Sequence, residues 1–84
     1  MGTALGDWMK KDEQRIIDDI DLIEGVIKEI EVKNKETERI IDLAKRYTQD
    51  TSFFLEKKDM VTAFGSINYA HGLLDALRIQ QGKI

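Results

Sequence analysis

The chain contains one histidine, His71, which lies one helical turn before the carboxylate of Asp75. Residues four apart lie on the same side of a helix, so these two side chains can meet. A histidine and a carboxylate in this arrangement are suited to binding a metal ion or to acting as a general base. The alternative is a hydrogen-bonded pair at the edge of the core or in an interface. One histidine and no cysteine give a transition metal too few nitrogen and sulfur ligands. The pattern therefore favours the structural interpretation.

A second set of polar residues lies on the preceding stretch. Tyr47 and Asp50 are one turn apart, and Asp50 is a lone carboxylate among mostly apolar residues. A buried carboxylate needs a partner, and Tyr69, His71 or a lysine would serve. Such a network more often sets the register of helices than performs catalysis. The candidate polar site therefore consists of Tyr47, Asp50, His71 and Asp75, with a structural role preferred over a chemical one.

The composition excludes several kinds of site. The sequence has no cysteine, which rules out disulfides, thiolate zinc sites and cysteine nucleophiles. It also lacks a glycine-rich phosphate loop, a nucleophile elbow, an HExxH motif and paired ExxH motifs. We therefore expect no metal and no cofactor. One acidic helix face would attract Mg²⁺ or a basic partner, but charge runs interleaved with lysines usually only contact water; this face comprises Asp12, Glu13, Asp18, Asp19, Asp21 and Glu24.

Charge and hydropathy bear on partners and location. The net charge is −3, and no basic cluster is longer than two residues. Because phosphate binding needs a concentrated basic face, this argues against nucleic acid. No apolar run approaches the roughly 20 residues of a membrane span, and the N-terminus lacks a signal-peptide pattern. We expect a cytoplasmic protein with no nucleic-acid partner and no membrane partner.

Helices must position these residues. The chain has no proline, and three stretches carry apolar residues at alternating steps of four and three, the spacing of one helix face. The predicted helices cover about 7–33, 37–56 and 60–81, with residues 1–6 disordered. Short connections then predict a single domain over 1–84, an all-α three-helix bundle of up-and-down antiparallel topology. The predicted core stripes are Ile16, Ile20, Ile23, Ile27 and Ile30; Ile40, Ala44, Tyr47, Thr51 and Phe54; and Ala63, Ile67, Ala70, Leu74 and Leu77.

Three residues are predicted to mark the helix ends. Asn34 is expected to take the left-handed conformation that ends the first helix, and Thr37 to cap the second. Asp59 is expected to be the N-cap of the third helix, where its carboxylate also suits the helix dipole.

The predicted third helix differs from the other two. Between Met60 and Leu77 the only formally charged side chain is Asp75. The side opposite the core stripe is small and apolar, whereas a side that meets water should be polar. We therefore predict that it packs on a partner, most simply a second copy in a homodimer. The alternative is a bundle that leaves a modest apolar patch. The predicted interface consists of Val61, Gly65, Asn68, Tyr69, Gly72, Ala76 and Ile79.

The segment 47–76 carries a specific pattern. Its pieces are Tyr47-x-x-Asp50, Phe54-Leu55-Glu56-Lys57-x-Asp59, Ala63-Phe64 and Tyr69-Ala70-His71-Gly72-Leu73-Leu74-Asp75-Ala76. It resembles the small archaeal family catalogued as domain of unknown function 357, most clearly in the Tyr-Ala-x-Gly-x-Leu-Asp-Ala run. The resemblance implies an albumin-binding-domain-like three-helix bundle in an archaeal cytoplasmic protein, and it implies no activity. Two residues depart from the family pattern, Lys58 and Leu77, where the family often has glycine.

Three functions follow from these features. The leading one is a non-enzymatic interaction or structural module that self-associates through its third helix. The second is a ligand-binding or hydrolytic protein with a site at a helix or subunit junction around the candidate polar site. A third, a role beside RNA or a nuclease, rests on helical analogy alone.

Overall fold

In the computed structural model the chain forms three α-helices joined by short turns. The structure describes residues 3–84, with side chains from residue 11 onward. Helix α1 spans Thr3–Glu29, α2 spans Lys35–Glu56 and α3 spans Met60–Gln80. The helices run up, down and up, so the predicted all-α three-helix bundle is confirmed.

Helix α1 lies nearer the N-terminus than predicted. It begins at Thr3 and ends at Glu29, ahead of the predicted 7–33 at both ends. Residues 3–6 are therefore helical, although they belong to the segment predicted to be disordered. Met1 and Gly2, the rest of that segment, lie outside the described residues.

Asn34 begins α2, and the prediction that it ends the first helix is wrong. Its backbone is extended, with φ −158° and ψ 175°, and its side-chain oxygen accepts a hydrogen bond from the Thr37 N–H at 2.8 Å. This is the N-cap arrangement. Thr37, the predicted cap, lies buried in the first turn of α2. The short polar side chain of asparagine suits either helix end, so its type alone did not decide between them.

The turn between α2 and α3 depends on Lys58. Its φ of 61° lies in the left-handed region, where the described chain holds no other residue except a glycine. The Lys58 N–H donates to the Leu55 carbonyl at 3.0 Å, and the Asp59 N–H donates to the Phe54 carbonyl at 2.9 Å. This pair of bonds is the Schellman motif that closes a helix C-terminus.

Caps also fix both ends of α3. Asp59 is its N-cap, since the carboxylate accepts a hydrogen bond from the Thr62 N–H at 3.2 Å. At the other end Gly82 takes a φ of 71°, and the Lys83 N–H donates to the Arg78 carbonyl at 2.8 Å. The second turn therefore closes α3 with the same motif that closes α2.

The core follows the predicted stripes in α1 and α3 more closely than in α2. All members of the α3 stripe are buried, and so are Ile16, Ile23 and Ile30 of α1. In α2 the predicted Ile40, Tyr47 and Phe54 are only half-buried. The buried stripe of α2 consists of Thr37, Ile41, Ala44, Thr48, Thr51 and Leu55.

Threonines shift the buried stripe of α2. The Thr48 hydroxyl donates to the Ala44 carbonyl and the Thr51 hydroxyl to the Tyr47 carbonyl, each at 2.8 Å. These bonds satisfy the hydroxyls inside the core, so that each threonine can bury its methyl group. Thr48 thus takes a core position outside the predicted stripe, whereas the predicted core position of Thr51 is confirmed.

Helix α3 is the central element of the bundle. It packs most extensively on α2 and less on α1, while α1 and α2 contact each other least. The molecule is elongated, with extents of 54 × 22 × 15 Å. Two neighbours thus cover one side of α3 and leave its opposite side facing outward.

Candidate functional site

The outward side of α3 carries all the residues of the predicted interface. We call this surface the outer face of α3: Val61, Gly65, Asn68, Tyr69, Gly72, Ala76 and Ile79, each of which is exposed. The exposed fractions are 84% for Val61, 63% for Ile79 and 52% for Tyr69. Single exposed apolar residues are common on proteins, but here they line one side of one helix.

The glycines of the outer face are not required by packing within the chain. A Cβ atom built on Gly65 or Gly72 meets no heavy atom of the described chain within 4 Å beyond the local helix. Glycine inside a helix costs about 1 kcal/mol relative to alanine. The bundle therefore has two positions on α3 where alanine would fit and would favour the helix.

A shallow groove runs along part of the outer face. It has a volume of about 370 Å³ and is lined by Asn68, Tyr69, Gly72, Leu73 and Ala76. The missing side chain of Gly72 and the small one of Ala76 leave this space beside the larger neighbours. The groove is open and mostly apolar, so it is suited to receiving apolar side chains from another surface.

Within the outer face, Tyr69 lies on the side nearest to α2. Its ring packs against that of Tyr47, with centroids 4.4 Å apart and an angle of 34° between the ring planes. Tyr47 of the candidate polar site is thus held in an aromatic pair across the α2–α3 contact. This contact fixes the orientation of Tyr69.

His71 lies on the opposite flank of α3. Two positions along a helix correspond to a rotation of about 200°, which turns His71 away from Tyr69. Its Nε2 atom is 3.9 Å from the Asp19 carboxylate of α1. Because α1 packs on this flank, the carboxylate near His71 comes from another helix.

The two carboxylates of the candidate polar site also lie apart. Asp75 is 3.7 Å from the Arg78 guanidinium on the same helix, and in the described chain no hydrogen bond joins it to His71. Asp50 is exposed on α2, which corrects the expectation of a buried carboxylate. Within one chain, therefore, the candidate polar site does not converge on one cavity.

Residues 11–84 hold no group of three or more His, Asp or Glu side chains arranged to bind a metal ion. None of the described helices combines the length and apolarity needed to cross a bilayer.

Gln81 makes a long-range contact that the sequence did not signal. Its side-chain oxygen accepts a hydrogen bond from the Glu31 N–H at 3.1 Å, and its amide nitrogen donates to the Glu31 carbonyl at 2.8 Å. The Lys83 ammonium donates to the Glu29 carbonyl at 2.6 Å. These bonds tie the end of α3 to the end of α1, and residue type alone does not indicate such pairings.

Comparison with known proteins identifies the family. The model of a family described as a protein of unknown function (DUF357) matches residues 13–82, which include most of α1 and all of α2 and α3. The chain belongs to this family, and the predicted resemblance is confirmed. No curated protein matches the chain.

Proposed function

We propose that this member of the DUF357 family is a non-catalytic interaction module that self-associates through the outer face of α3. The observation that carries the proposal is the outer face itself, which exposes Val61, Tyr69 and Ile79 and includes no formally charged residue. Contiguous exposed apolar surface of this kind typically marks a protein interface.

The glycines give the proposal an energetic reason. Gly65 and Gly72 cost helix stability and gain no contact within the described chain. In a dimer they would allow two backbones to approach closely, as small residues do where helices cross. Association would then offset a cost that the isolated bundle leaves uncompensated.

The arrangement of the polar residues favours binding over catalysis. Tyr47 is engaged with Tyr69 on one flank of α3, and His71 lies near Asp19 on the other. A general base and the group that orients it must lie within hydrogen-bonding distance of each other. The positions of these side chains are better suited to joining helices than to activating a substrate.

The test compares two glycine-to-arginine variants. Gly72→Arg places a long charged side chain in the centre of the outer face and should convert the protein to a monomer with unchanged helix content. Gly25→Arg is the matched control, because Gly25 is an exposed helical glycine of α1 whose added Cβ also meets no described atom within 4 Å. It should retain the wild-type mass.

The readouts are light scattering after size-exclusion chromatography, for mass, and circular dichroism, for helix content. If Gly72→Arg keeps the mass of the wild-type dimer, the proposed interface is wrong. If both variants become monomers, the effect is not specific to α3 and the proposal also fails.

A further inference from the structure

We infer that α1 opens away from the α2–α3 pair as a unit, and that Gln81 and Lys83 form a latch that holds its C-terminal end closed. This inference concerns a single chain, so it does not depend on the proposed self-association. It makes α1 a movable element beside the other two helices. Parts of a protein that bury few apolar side chains open at a lower free energy than the whole molecule unfolds.

Helix α1 is the least buried of the three helices. Between residues 11 and 29 its buried side chains are Ile16 and Ile23, and Ile30 is buried just beyond its end. In contrast, α2 buries six residues and α3 buries five. Helices α2 and α3 also pack more extensively on each other than either packs on α1. Separation of α1 therefore disrupts less of the bundle than separation of α2 from α3.

The latch contacts the backbone at the C-terminal end of α1. The Gln81 carboxamide accepts a hydrogen bond from the Glu31 N–H at 3.1 Å and donates one to the Glu31 carbonyl at 2.8 Å. The Lys83 ammonium donates to the Glu29 carbonyl at 2.6 Å. Carbonyls in the last turn of a helix have no partner within that helix. Lys83 supplies one of them with a partner, while Gln81 pairs with both polar backbone groups of the residue that follows Ile30.

The ionic contacts of α1 with the rest of the described chain are weaker. The Glu13 carboxylate pairs with the Lys58 ammonium at 3.0 Å on the surface, and exposed ion pairs contribute little to stability. Asp19 lies 3.9 Å from His71, which is beyond hydrogen-bonding distance. Neither contact includes a backbone group of α1. The latch is therefore at the C-terminal end of α1, where side chains satisfy its backbone.

Native-state hydrogen exchange tests whether α1 opens as a unit. Amide exchange of the wild-type protein is followed by NMR at several urea concentrations below the unfolding transition, at one protein concentration. The most protected amides of α1 should share one opening free energy, with protection roughly tenfold or more below that of the most protected amides of α2 and α3. Their protection should also depend less on urea, because opening of one helix exposes less surface than unfolding of the chain.

Substitution of Gln81 tests the latch. Gln81→Ala removes both hydrogen bonds to Glu31 and should lower the protection of the α1 amides about fivefold or more. Gln80→Ala is the matched control, because Gln80 is exposed at the neighbouring position and the side-chain bonds to Glu31 come from Gln81. This control should keep the wild-type protection.

Two results would overturn the inference. If the amides of all three helices share one opening free energy and one urea dependence, α1 does not open separately. If Gln81→Ala and Gln80→Ala protect the α1 amides equally, residue 81 does not hold the helix closed. Lys83→Ala removes only the bond to Glu29 and should lower protection in the same direction by a smaller factor, which keeps the test decisive if Gln81→Ala fails to fold.

Discussion

At the scale of single residues, Lys58 has a backbone conformation that is unfavourable for a residue with a side chain. It holds a φ of 61° in the turn between α2 and α3, a conformation that costs a residue with a Cβ atom roughly 1–2 kcal/mol. Glycine is the common choice at this position of a Schellman motif. The Lys58 ammonium is bonded to the Glu13 carboxylate at 3.0 Å, which offsets part of the cost.

Substitution of Lys58 tests this account. Lys58→Gly should raise the free energy of unfolding by about 1 kcal/mol relative to Lys58→Ala, because glycine removes the strain of the left-handed backbone. Both variants lose the ion pair with Glu13. The difference between their free energies of unfolding therefore isolates the cost of the left-handed backbone conformation. Urea denaturation at one protein concentration measures it, and equal stability of the two variants would contradict this explanation.

At this scale, the contacts between polar side chains were the feature least predictable from the sequence. Spacing in the sequence placed His71 beside Asp75, yet the structure brings Asp19 of α1 to His71 and Arg78 to Asp75. Residue spacing limits which side chains share a helix side, but it carries no information about the neighbouring helix that competes for them. The hydrogen bonds between Gln81 and Glu31 were missed for the same reason.

At the scale of the elements, the predicted helices depended on the spacing of apolar residues. In helix α3 the predicted stripe of apolar residues at alternating steps of four and three coincides with the buried residues, so its core stripe was predictable. The core stripe of helix α2 was less predictable, because Thr48, which lies outside the predicted stripe, bonds to the backbone of its own helix and enters the core, whereas the buried Thr51 was predicted. The N-cap role of Asp59 follows from local chemistry, whereas asparagine suits both helix ends and Asn34 was misassigned.

The helical glycines lead to a prediction at this scale. Gly72→Ala and Gly25→Ala should each stabilise the folded chain by about 0.5–1 kcal/mol, since alanine is the better helix former and finds open space. Only Gly72→Ala should weaken association, because two added methyl groups would separate the paired backbones. We expect its dimer dissociation constant to rise about tenfold or more, from an overpacking cost of roughly 1–3 kcal/mol.

Thermal unfolding and sedimentation equilibrium separate these two effects. The expected result is a higher stability for both variants at matched monomer concentration, with a weaker dimer for Gly72→Ala alone. An unchanged dissociation constant for Gly72→Ala would mean that no backbone approaches α3 closely at this position.

At the scale of the whole molecule, one helix of the elongated bundle contributes both to the core and to an exposed surface. Helix α3 supplies the central core stripe on one side and an uncharged outer face on the other. A small domain buries a limited fraction of its surface, so association is a common way to add stability. The all-α architecture was predictable from periodicity, whereas the proposed association through the outer face involves a second chain and requires a solution measurement.

That measurement is the absolute mass of the wild-type protein by light scattering after size-exclusion chromatography, over a concentration series. The account predicts about twice the chain mass of 9.7 kDa, with dissociation only on strong dilution. A mass of one chain at every concentration would contradict self-association through α3.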